Sequence, residues 1–98
     1  MTGLLVGMKK TVIKTAPVED SKKLPANSKF DFLRGQTLEV RWAEFDRATN
    51  HVRFELVSGR NGVTVWYGYA PDVRFVPDNR RFAMFYQGSE ADETLAEV

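Results

Sequence analysis

At 98 residues the chain has room for one domain and a modest core. Its 14 basic and 13 acidic side chains leave a formal net charge of +1, without the basic excess of a dedicated nucleic-acid binder. Cysteine is absent, which excludes a disulfide framework, a thiolate metal site and a cysteine nucleophile.

The opening MTGLLVGMKK is apolar for a few residues only, and its lysines follow the apolar part. That is the reverse of a secretory signal, and no run is long enough to span a membrane, so the expectation is a soluble protein without a signal peptide. Residues 1–8 read as a flexible N-terminal arm, with Gly3 and Gly7 flanking a small apolar segment. Residues 9–15, KKTVIKT, suit a first, partly exposed strand. Residues 16–28 carry Pro17 and Pro25 among Ser, Asp and Asn, which marks a long loop. KFDFLR at 29–34 places Phe30 and Phe32 on one face of a short strand, and Gly35-Gln36 makes a turn.

Residues 37–45 and 51–57 alternate apolar and polar across the polar turn DRATN, the strongest hairpin signal in the chain. The alternation puts Leu38, Val40 and Trp42 inside, with Val52, Phe54 and Leu56 facing them. It leaves His51, Arg53 and Glu55 outside. Asn61-Gly62 suits a tight turn with positive φ. Next comes TVWYGYAPDVRFV at 64–76, the densest aromatic run, in which Pro71 marks a corner between two strands. Phe82, Phe85 and Tyr86 lie in a segment, FAMFY, that fits either a strand or a helical face, and residues 87–98 form an acidic tail.

Short strands at roughly ten-residue spacing, with turns between them, predict an all-β fold: a small barrel of five or six antiparallel strands over residues 9–76. Residues 1–8 and 77–98 then extend from it as arms.

Three blocks carry a resemblance over residues 11–76: TVIKTAPVEDSKKLP, KFDFLRGQTLEVR, and HVRFEL followed by GRNGVTVWYGYAPDV. Together they resemble the bacterial SH3-like modules of cyanobacterial and phage-related proteins, often found beside peptidoglycan-hydrolase domains. The resemblance implies an SH3-like barrel with an accessory or binding role. It carries over no catalytic residue, and residues 77–98 lie outside its pattern.

No nucleophile elbow, phosphate-binding loop or dinucleotide glycine pattern is present. His51 is the sole histidine, opens a strand, and by alternation faces solvent. Glu44 and Asp46 flank a turn, where carboxylates are solvated, and no cofactor or metal is implied. The aromatics carry the binding hypothesis. Trp66 is expected to pack inward with Trp42, leaving Tyr67 and Tyr69 outward beside Arg60 and Asn61 as a recognition surface. The opposite orientation, with both tyrosines in the core and Trp66 outside, is left open by alternation alone. Phe82, Phe85 and Tyr86 are further candidates for contact with a partner.

The function expected from these features is non-enzymatic binding. The leading version is a subunit of a larger assembly such as a phage virion (tail, baseplate or capsid-decorating protein), its arms reaching neighbouring subunits. The alternative is a cell-wall module that stacks glycan on Tyr67, Tyr69 and Arg60. Glycan aside, the expected partners are proteins, with neither nucleic acid nor membrane among them.

Overall fold

A computed structural model describes residues 2–78. They form one antiparallel sheet of seven strands: β1 (Gly3–Gly7), β2 (Thr11–Lys14), β3 (Lys29–Phe32), β4 (Thr37–Asp46), β5 (His51–Arg60), β6 (Val63–Tyr69) and β7 (Val73–Pro77). Their order across the sheet is β3-β2-β6-β5-β4-β1-β7. Every strand sends at least one buried side chain into a single core, made of Leu5, Ile13, Phe32, Val40, Phe54, Leu56, Trp66 and Val73. A flat sheet cannot bring its two outermost strands to one core, so this sheet curls. Among the described residues no ladder joins β3 to β7. Phe82, Phe85 and Tyr86, together with the acidic tail, lie outside the described residues.

The all-β expectation holds, and the central hairpin falls where alternation put it. β4 and β5 pair from Val40↔Leu56 to Asp46↔His51, and the connection to β6 is the two-residue Asn61-Gly62 turn, with φ of 52° and 76°. Pro71 sits in a 3₁₀ turn, Ala70–Asp72, which bends the chain from β6 into β7. The 16–28 loop contains two further single 3₁₀ turns, at Ser21–Lys23 and Ala26–Ser28.

Two expectations need correction. The expected N-terminal arm holds a strand instead: Gly3–Gly7 is interior to the sheet, paired on one side with β4 and on the other with β7, and Leu5 is fully buried. This raises the strand count from the expected five or six to seven. The glycines at its ends are what admit it. A Cβ on Gly7 would stand 2.3 Å from the Leu33 carbonyl oxygen, and one on Gly3 2.4 Å from that of Val76. Second, Trp42 does not join Trp66 inside. A bulge between Val40 and Trp42 inserts one residue against β5 and reverses the alternation beyond it. Ala43 therefore turns toward the core and Trp42 outward, where its indole Nε1 donates to Glu55 at 3.1 Å and Arg53 lies over its ring. Trp66 is fully buried and packs edge-on against Phe30, with centroids 5.1 Å apart.

Gly68 faces the same core opposite Val52, and a Cβ there would meet Ile13 Cδ1 at 3.0 Å and Val73 Cγ1 at 3.3 Å. Side-chain tips can give way, whereas the backbone carbonyl facing Gly7 cannot. Gly68→Ala is therefore expected to cost about 1 kcal/mol or less, and Gly7→Ala about 3 kcal/mol, at the upper end of overpacking penalties. Urea midpoints followed by tryptophan fluorescence check the order; equal losses would mean that β1 is not held as closely as described.

Candidate functional site

The outward side of β5 and β6 is not open along its length. The 15–21 loop passes over one end of it, and the reason lies in Lys14. This residue ends β2 opposite Tyr67, and its side chain is only 5% exposed. A buried ammonium needs acceptors. Its Nζ donates to the Val18 carbonyl at 2.6 Å, which draws the loop inward, and lies 3.0 Å from His51 Nε2.

His51 is the counterpart. Its position on the outward side of β5 predicted solvent contact, yet it is 1% exposed. The strand alternation was read correctly; what stands against the ring is the Lys14 side chain and two aromatic neighbours. Tyr69 and Tyr67 stand edge-on to it, at centroid distances of 5.7 and 6.5 Å. The tautomer follows from the bonding. Nδ1 lies 2.7 Å from the Thr49 carbonyl, which can only accept, so Nδ1 carries the proton and Nε2 accepts from Lys14.

Burial pushes the His51 pKa below its ordinary 6.5, against the hydrogen bond to Thr49, and the neighbouring Lys14 charge pushes the same way. Burial also lowers the Lys14 pKa from 10.5, opposed by the charges of Asp72 and Glu19. The pair thus sits together as a neutral imidazole and a desolvated ammonium, each donating to a backbone carbonyl of this chain.

Around this pair lies a cleft of about 450 Å³, lined also by Thr11, Val12, Glu19, Ser21, Tyr69 and Asp72. Its elements converge from four places: β2, the loop after it, the start of β5, and the β6–β7 corner. The corner is anchored because the Asp72 carbonyl accepts from the backbone N–H groups of Met8 and Lys9, and Ala70 N–H donates to the Asn50 carbonyl. Tyr69, 41% exposed, presents its ring at this cleft. The lining therefore offers one accessible aromatic ring, two hydroxyls and two carboxylates, arranged around a lysine that is already hydrogen-bonded.

The predicted surface patch is divided by this geometry. Trp66 inward and Tyr69 outward agree with the expected orientation, and Tyr67 is half-buried on the outward side. Arg60 and Asn61, however, sit at the opposite end of β6, since Arg60 pairs with Val63. Arg60 lies 4.0 Å above the Phe30 ring, and Asn61 Nδ2 donates to the Asn27 carbonyl. They hold the 24–30 segment, and among the described residues only Tyr69 of the predicted ones lines the cleft. Lys14, Glu19, His51 and Asp72 were missed as a group because they come from segments up to 58 positions apart, Lys14 to Asp72. The one legible signal was a lysine closing the β-branched run TVIK.

No group of three or more His, Cys, Asp or Glu side chains that could hold a metal occurs among the described residues. Among them, too, no helix is long and apolar enough to cross a membrane. Compared with protein-family models, with curated proteins and with solved structures, the chain finds no match.

Because the folded state resists protonating His51 and the unfolded chain does not, stability is expected to fall as pH drops through 6.5. With one histidine in the chain, the assignment is direct: its ring resonances should titrate below 6.5 and show the Nδ1–H tautomer at neutral pH. Lys14→Met removes a neighbouring positive charge, so the His51 midpoint should move upward while desolvation keeps it below 6.5. A midpoint at or above 6.5 in the unaltered protein would contradict the burial of the ring.

Proposed function

We propose that this chain is a non-catalytic binding module, and that the cleft beside Tyr69 holds a carbohydrate of cell-wall type. The observation that carries this reading is the lining: an accessible tyrosine ring flanked by Thr11 and Ser21 hydroxyls and by the Glu19 and Asp72 carboxylates. A sugar ring presents an apolar C–H face and an edge of hydroxyls. An aromatic face takes the first, and paired acceptors and hydroxyls take the second. Binding is favoured over catalysis because Lys14 and His51, the pair that would supply a nucleophile or base, are spent on hydrogen bonds within the chain. The curled sheet with a core fed by every strand supports an SH3-like barrel as the architecture.

A specific feature favours the assembly reading as the second. β4 runs beyond the start of β1, so among the described residues its Trp42–Asp46 half is paired only with β5. Phe45 there is 57% exposed. An unpaired edge with an exposed aromatic suits strand addition by a neighbouring subunit, as in a phage tail or capsid-decorating protein.

Tyr69→Ala should weaken binding to soluble peptidoglycan fragments by about tenfold, roughly 1.4 kcal/mol, while the variant still melts cooperatively at a somewhat lower temperature, because the same ring stands over His51. Retained binding would sink the glycan reading. Light scattering coupled to size exclusion tests the second: an oligomer dissolved by Phe45→Glu supports subunit assembly through the β4 edge, and a monomer throughout removes the case for self-assembly.

A further inference from the structure

The cleft has a sign. Glu19 and Asp72 each contribute a negative charge, Lys14 one positive charge, and His51 none in its neutral Nδ1–H form. The balance is −1. The one cation is also the least available group: its Nζ is committed to Val18 and His51, and the side chain is nearly buried. Glu19, by contrast, is exposed and Asp72 half-buried, so the negative charge lies where a ligand arrives. The neighbouring Tyr69 ring adds a π face, which attracts cations as well as C–H groups.

We infer that the cleft selects sugars bearing a free, protonated amino group over their N-acetylated or acidic counterparts. This rests on the carbohydrate reading above and narrows it. An ammonium set between Glu19 and Asp72 would gain charge-assisted hydrogen bonds and leave the sugar ring against Tyr69. Acetylation removes that charge, and a uronate or phosphate would meet two carboxylates of its own sign. Thr11 and Ser21 then serve the ring hydroxyls, which neither a simple amine nor a polyamine possesses.

The test is a titration of the whole chain, followed by backbone amide shifts, with four probes at a pH where the amine is charged. They are a glucosamine tetrasaccharide, its fully N-acetylated form, a galacturonate tetrasaccharide and putrescine. The expected result is that the amino form binds about tenfold more tightly than the acetylated one, a difference of about 1.4 kcal/mol, with shifts at Thr11, Glu19, Tyr69 and Asp72. Galacturonate and putrescine should bind weakly or not at all. Glu19→Gln with Asp72→Asn should bring the amino and acetylated forms to within about twofold. Asn at 72 keeps the backbone carbonyl that anchors Met8 and Lys9; if the double variant fails to melt cooperatively, Glu19→Gln alone, at an exposed residue, should cut the preference severalfold. Equal binding of the two tetrasaccharides, a preference that survives the substitutions, or putrescine binding as tightly as the amino sugar would each overturn the inference while leaving a ligand site in place. No binding by any saccharide would overturn the carbohydrate reading itself.

Discussion

A buried ammonium cannot be left without acceptors, and much of the molecule's surface relief follows from that constraint. Lys14 ends its strand pointing into cover, and the nearest acceptors are the Val18 carbonyl and the His51 ring. Satisfying them pulls the 15–21 loop across β5 and β6. The Lys14 side chain helps keep His51 from water, and the cleft lies between loop, sheet and corner; Thr49, on the β4–β5 turn, fixes the His51 tautomer. A leucine at position 14 would ask nothing of the loop. The polar pair therefore specifies where the loop lies, at the cost of desolvating two ionisable groups.

The scaffold beneath is a hydrophobic construction with one irregularity. Trp66, Phe54, Phe32 and Ile13 are buried as their strands' alternation requires. The bulge after Val40 then exchanges the two faces of β4, so the distal half of the hairpin carries Trp42, Glu44 and Arg53 on its outer side. There Glu44 and Arg53 meet at 2.8 Å as an exposed pair that adds little stability. On the inner side the same exchange leaves Phe45 beyond the reach of the core.

Local pattern made the fold class, the β4–β5 hairpin, the Asn61-Gly62 turn and the inward Trp66 readable, because each depends on neighbours in sequence. β1 was hidden for a physical reason. Its GLLVG has no polar alternation, since Leu4 and Val6 on the face away from the core are apolar and half-buried, and its end glycines look like linker residues until close backbone approach explains them. The bulge was equally invisible, as nothing in TLEVRWAEF distinguishes an inserted residue from a regular one. The site was the least legible part. His51 was assigned to the correct side of its strand, but its cover comes from Lys14, 37 positions earlier in the chain, and from Tyr67 and Tyr69. Arg60 and Tyr69 are both near Trp66 in sequence, yet the rise of an extended strand carries them to opposite ends.

The β1–β7 ladder has a consequence for how such a unit can be carried. Thr2 and Asp78 are joined side by side: the Asp78 N–H donates to the Thr2 carbonyl, and the Thr2 hydroxyl bonds the Asp78 carboxylate. Asp72 stands at the other end of the same ladder, where Val73 pairs with Gly7, about 17 Å away at the usual strand rise. Chain entering and chain leaving thus share one pivot, and the cleft lies at the far tip. A pull applied through Thr2 and Asp78 would therefore load the opposite end of this ladder from the cleft.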